Sequence, residues 1–242
     1  THYKNKITYL PDEKKTTVMD GHGGYMNGSR YYGEDLPINT WYMKRFAGLS
    51  EDGLSLWYYT DKETNEEKTT TTYSTGDFYL CGDPNPDLYG GFGTSITFHG
   101  FDLSTQFSYL VGGLTYDYGY AGMMGNPTAT SVGNRWHKDV LKAWSPENPS
   151  STIPRWYFND LNTTGSSDRF LIDGSYLNLQ NIQVGYTLPD SWTSHLKIKN
   201  LRLYFVCDNV YYWSKRKGLD PRRSISGAVS YTHLTLPTTP YV

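Results

Sequence analysis

Apolar residues fall at every second position along several stretches of this chain, and that period limits what it can fold into. In Tyr89–Phe98, Phe92, Thr94, Ile96 and Phe98 lie on one side, with Gly91, Gly93, Ser95 and Thr97 on the other. Past His99-Gly100, the residues Phe101, Leu103, Thr105, Phe107, Tyr109 and Val111 alternate with Asp102, Ser104, Gln106 and Ser108. A period of two on both sides of a two-residue turn specifies an antiparallel hairpin. The same rhythm sets Leu201, Leu203, Phe205 and Cys207 against Arg202, Tyr204, Val206 and Asp208. It also runs through Tyr176–Leu188, with a slip of phase near Asn181 that a β-bulge would produce. The second face of the hairpin is small and polar, whereas the solvent face of a β-sandwich carries charges. A sheet lying between hydrocarbon and a wet lumen accounts for both faces.

Composition agrees once the membrane is considered. Tyr 23, Trp 7 and Phe 9 stand beside Gly 24, a β-rich and turn-rich mixture. A mean hydropathy of −0.61 describes a soluble protein in most settings. A membrane barrel gives the same value, because its lumen face and loops dilute the lipid-facing half. No apolar run reaches the ~18 residues of a membrane-spanning helix. Lys+Arg 22 against Asp+Glu 24 leaves a net charge of −2, which supports no nucleic-acid partner.

Along the chain, Thr1–Thr8 reads as the end of a strand and Pro11–Leu36 as loop. Ile38–Phe46 reads as a strand, Ala47–Gly53 as a turn, Gly53–Tyr59 as a short strand and Asp61–Gly76 as a charged connection. Gly113–Arg169 is a long loop with a short helix predicted over Trp136–Trp144, and Val210–Gly227 is another loop. Long loops inside a compact domain tend to be functional. Short turns alternating with long loops are the asymmetry of outer-membrane barrels.

Motifs for chemistry are absent from the sequence. Tyr89–Ser95 is glycine-rich but has no Lys before Thr94-Ser95, so its glycines read as a smooth wall and not a phosphate loop. The histidines His2, His22, His99, His137, His195 and His233 show no ligand spacing. Cys81 and Cys207 lie too far apart in sequence for a CxxC, and Cys207 is in phase with an apolar face. No catalytic residue, cofactor or metal site is expected, and the chain is not expected to be an enzyme. Aromatics carry what remains. Tyr186, Trp192, Tyr211, Tyr212 and Trp213 stand near strand ends, where amphipathic rings suit the headgroup level. Trp136, Trp144, Trp156 and Tyr157 lie in the long loop, placed to stack on substrate, to meet a partner, or to pack within the loop.

Six segments in order resemble one family. They are Tyr89–Thr94 (YGGFGT), Gly100–Gly113 (GFDLSTQFSYLVGG), Tyr116–Tyr120 (YDYGY), Asn134–Trp144, Asp168–Pro189 (DRFLIDGSYLNLQNIQVGYTLP) and Leu201–Pro221. Together with Trp41–Trp57 they resemble the SusC/RagA family of TonB-linked outer-membrane transporters. The resemblance implies an all-β fold, the C-terminal strands of a twenty-two-stranded transmembrane antiparallel β-barrel with long extracellular loops. It implies the outer membrane of a Gram-negative bacterium and import of glycan or peptide oligomers. The implied partners are a SusD-like surface lipoprotein, outer-membrane lipid and the TonB complex, which would be reached through a plug and TonB box absent from this sequence.

Two domains are expected: residues 1–228 as barrel and 229–242 as a non-native tail. Val229–Thr238 reads VSYTHLTLPT, similar to the translated transposon-end adapter of sequencing libraries, so the chain reads as a fragment. An open piece of six to eight strands has two free edges and is expected to aggregate when expressed alone. The competing reading is a soluble carbohydrate-binding β-sandwich, in which the apolar faces of the hairpin would be buried in a core.

Overall fold

The structure, a computed structural model, describes residues 2, 4–128, 136–160, 162, 165–193 and 201–215. In chain order its strands are β1 (Thr17–Met19), β2 (His22–Asn27), β3 (Arg30–Gly33), β4 (Thr40–Lys44), β5 (Phe46–Leu49), β6 (Ser55–Thr60) and β7 (Glu67–Thr70). They continue as β8 (Phe78–Leu80), β9 (Leu88–Phe98), β10 (Phe101–Val111), β11 (Leu114–Tyr116), β12 (Leu171–Asp173), β13 (Tyr176–Thr187) and β14 (Arg202–Ser214). Two short helices are α1 (Tyr118–Met123) and α2 (Asp190–Thr193). The described residues divide into a strand unit, built on Pro84–Leu114 and residues 173–215, and a loop unit, built on Lys6–Asp83 and Thr115–Ile172.

The strand unit is one antiparallel sheet in the order β14-β13-β10-β9. The hairpin forms as its alternation requires: Phe101 pairs with Phe98 across His99-Gly100, and both turn residues have positive φ (47° and 84°). The register holds unbroken to Val111↔Leu88. The slip near Asn181 is a bulge. Gln106 and Phe107 are adjacent on β10, yet they face Asn181 and Leu179 on β13, leaving one extra residue there. The predicted loop after Asn209 is corrected here, since β14 continues to Ser214. Asn209 takes a positive φ of 52°, and the strand resumes with Tyr211↔Leu179 and Trp213↔Leu177. The alternation was interrupted, not finished.

The loop unit holds more sheet than its sequence suggests. Pro11–Leu36, read as loop, contains β1, β2 and β3, joined by a turn at Asp20-Gly21 and another at Gly28-Ser29. These strands are too short, and β2 too glycine-rich, to show a clear period. They continue through β4 to β8 as a five-stranded sheet, while β5, β6 and β7 form a second sheet. The predicted strand Ile38–Phe46 is thus split at Arg45, and Phe46–Leu49, read partly as turn, pairs with β6. Trp136–Trp144 contains a 3₁₀ turn at Lys138–Lys142 in place of the expected helix. Among the described residues of Thr1–Thr8, the strand pairing is a single bridge, His2↔Leu88. The core is aromatic: Tyr31, Trp41, Tyr42, Trp57, Tyr116 and Phe170 are buried with Met43 and Met124.

Candidate functional site

Pairing across antiparallel strands puts partners on the same face, so the register of the strand unit defines two surfaces. Rows of the first read Phe98/Phe101/Tyr186/Leu203, Ile96/Leu103/Val184/Phe205, Thr94/Thr105/Ile182/Cys207 and Phe92/Phe107/Leu179/Tyr211. Gly90/Tyr109/Leu177/Trp213 completes it toward the opposite end. This face is apolar yet uncovered: Phe98 is 67% exposed, Ile96 56% and Phe205 66%. A sandwich would have buried it, so the runner-up reading fails on this observation. Strands of eleven to thirteen residues rise about 36 Å or more, which at the usual barrel tilt spans a ~25 Å apolar band.

The second face is lined by Gly91, Gly93, Ser95, Ser104, Gln106, Asn178, Asn181 and Gln183, with few apolar groups among them. Its strongest contact joins β10 to β14 over the top of β13. Arg202 donates from Nε and Nη2 to the two carboxylate oxygens of Asp102, at 3.0 and 2.6 Å. Gly185 sits between them, and a Cβ there would lie 2.4 Å from Asp102 Oδ1. Only glycine leaves room for the bridge. Farther along the same face, Asn181 donates to Asp208 at 2.6 Å.

Of the five aromatics expected at the headgroup level, Tyr186, Tyr211 and Trp213 lie in rows toward the two ends of this face. Tyr186 packs against Phe101 at the turn end, with ring centroids 4.3 Å apart, and Trp192 stands exposed on α2 just beyond. Tyr211 and Trp213 meet edge to face at 4.9 Å toward the other end. Tyr212 pairs with Asn178 on the polar face, away from this apolar surface. Phe98, Phe101 and Tyr109 belong to the same rows. Alternation gives their face, but only the register gives their height.

In the loop unit, Trp136 and Trp156 are brought together. Both indole N–H groups donate to the Gly125 carbonyl, at 3.0 and 3.3 Å, and their rings cross edge to face at 5.5 Å. Tyr157 follows in an exposed turn with Phe158, which the sequence did not single out. Arg155 lies over the Tyr157 ring at 5.4 Å. Trp144 is placed differently: it packs on Gly53, where a Cβ would lie 2.3 Å from the indole and φ is +73°. Its role in this setting is packing.

Burial shapes the titration of this unit. Desolvation raises the phenols of Tyr31, Tyr42, Tyr73, Tyr79 and Tyr116 above their ordinary value of 10.0. A raised folded value means stability that is whole below pH 10 and lost as pH climbs through the folded pKa values. Desolvation acts in the opposite direction on the cations Lys44, Arg30 and Arg169, lowering their pKa values, but five phenols and the Cys81 thiol outnumber them. The loop unit should therefore lose structure in alkali as phenolate absorbance appears, in one transition above pH ~10. Ionisation of all tyrosines before any loss of tertiary signal would contradict this. Cys81 is pushed up to about 11 by burial and is inert as a thiolate at neutral pH. Cys207 pairs with Ile182 on the apolar face, as its phase indicated.

Among the described residues no group of three His, Cys, Asp or Glu is placed to hold a metal, and no helix is long and apolar enough to cross a membrane. The architecture is instead that of a wall segment of an antiparallel transmembrane β-barrel with long loops. No protein-family model matches the chain. It is 29% identical over 238 residues to TonB-dependent receptor P3 of Formosa agariphila, covering 90% of this chain and 22% of that protein. It is 27% identical over 153 residues to TonB-dependent receptor SusC of Bacteroides thetaiotaomicron, covering 62% of this chain and 14% of SusC. The RagAB peptide importer in its closed-closed state has the same fold, with a TM-score of 0.68 at 24% identity over 89% of this chain and 23% of that one. The chain thus spans less than a quarter of the length of these relatives. Over about nine-tenths of its own length, then, the chain is similar in sequence to TonB-dependent receptors, and it shares the fold of the RagAB importer.

Proposed function

We propose that this chain serves TonB-dependent import of nutrient oligomers, glycan or peptide, across a Gram-negative outer membrane. The observation that carries the reading is the two-faced sheet: an uncovered apolar face backed by a wall of amides, hydroxyls and glycines. Residues 1–228 are barrel and its loops on this reading. The adapter-like stretch 229–242 lies outside the described residues and takes no part in it. Tyr186, Trp192, Tyr211 and Trp213 anchor the wall at the two interfaces. Tyr212 faces the lumen.

Trp136, Trp156 and Tyr157 form the contact for substrate or for a SusD-like surface lipoprotein, with Trp144 holding the loop beneath them. Energy arrives from the TonB complex through parts of the receptor beyond this sequence. Deleting the encoding locus in its own organism should abolish growth on one oligosaccharide or peptide source and leave growth on the monomers intact. Unchanged growth and uptake across a broad glycan and peptide panel would overturn the proposal.

A further inference from the structure

We infer that Arg169 anchors an oxyanion-binding site in the loop unit, one that takes a carboxylate or sulfate group of a ligand. Arg169 lies in the 3₁₀ turn Asp168–Phe170 that leads into β12. Its guanidinium carbon is 5.2 Å from the centre of the Phe46 ring and 5.0 Å from that of Phe170. Tyr116 and Tyr120 are the groups that act on it electrostatically. Among the described residues no carboxylate does. The ion pairs of the described residues include Arg45–Glu67, Arg155–Asp160 and Arg202–Asp102, but none involves Arg169.

Its neighbour Asp168 is turned elsewhere, accepting from the Phe46 backbone N–H at 2.8 Å. Arg30, another arginine stacked on an aromatic ring of this unit, is held differently. It lies on the Trp41 ring at 3.1 Å and donates to the Asn39 carbonyl at 2.8 Å.

Burial lowers the Arg169 pKa to about 10, which leaves the group charged at neutral pH. Its N–H groups are not among the polar atoms sealed from solvent without a partner, as Arg45 Nε and Arg155 Nε are. A desolvated cation with aromatic neighbours and an open N–H edge is a ready fork for a planar or tetrahedral oxyanion. The low dielectric that penalises the lone charge also strengthens that pair. An arginine retained only to staple β5 to the turn would have no such affinity. The inference does not rest on the import reading, and neither stands or falls with the other.

The test is a titration of the full chain, refolded in detergent micelles, with sodium sulfate and separately with sodium acetate. Chloride keeps the ionic strength constant, and tryptophan fluorescence and calorimetry give the readout. Saturable binding of at least one anion is expected, and the stronger of the two identifies the source class. Arg169→Gln should weaken it by about tenfold or more. Arg169→Lys keeps the charge and the ring contacts but loses the fork, so binding should fall several-fold with the melting temperature unchanged. Arg30→Gln should bind like the parent. No saturable binding of either anion, or an Arg169→Lys variant that binds as tightly as the parent, overturns the inference.

Discussion

Arginine at Ile182 should destabilise the refolded strand unit by ~2–4 kcal/mol, while arginine at the next residue, Gln183, should change it by less than ~1 kcal/mol. The two side chains are adjacent in sequence and have opposite surroundings. Ile182 lies in the row with Thr105 and Cys207, midway up the apolar face. A guanidinium there would have to leave hydrocarbon or drag water into it, and mid-height is where snorkelling reaches least. Gln183 pairs with Ser104 and Val206 on the opposite face, beside amides and carboxylates that a cation can meet. Guanidinium titrations of the micelle-bound chain, followed by tryptophan fluorescence, would give both values. Equal losses at both positions would mean that the faces are not lipid and lumen, and the membrane reading of the sheet would go with them.

This contrast is legible in the sequence, because a period of two does not depend on where the strands end. The hairpin of β9 and β10, the face of each residue in it and the bulge near Asn181 all followed from alternation. What the sequence hid was of two kinds. Asn209 interrupts β14 with a left-handed residue, so Tyr211–Trp213 looked like loop although pairing resumes there. In the loop unit, strands of three to six residues are too short to express a period, and the sheets exist because tertiary packing on Trp41, Trp57 and Tyr31 holds them. The same limit applies to sites. Trp136 and Trp156 were legible as aromatics in a long loop, but their shared hydrogen-bond acceptor, Gly125, was not. Arg169 gave no signal at all, since the absence of a carboxylate partner is a property of space and not of neighbours in the chain.

Methionine at Lys44 should cost the loop unit ~3 kcal/mol, a loss that its appearance as a surface charge in the sequence would not suggest. Lys44 is 4% exposed, at the end of β4, beneath the 3₁₀ turn Tyr73–Thr75. Its ammonium donates to the carbonyls of Tyr73, Ser74 and Gly76, the last at 2.7 Å, while the rings of Tyr73 and Phe78 lie 4.5 and 5.1 Å away. Three donors thus meet three acceptors: the cation caps the Ser74 and Gly76 carbonyls at the end of the turn and adds a second donor to that of Tyr73, which also accepts from the Gly76 N–H. Methionine keeps the apolar stem and fills nearly the same volume, so the expected loss is that of carbonyls left without their donor and not a cavity. It should also be local. Amide exchange at Gly76 and Asp77, whose N–H groups donate to the Tyr73 and Tyr58 carbonyls, should accelerate before exchange in β2 and β3 does. A Lys44→Met chain that melts within ~0.5 kcal/mol of the parent would show that the carbonyls find water easily. The ammonium would then be a passenger in the core and not the clasp that shapes the connection from β7 to β8.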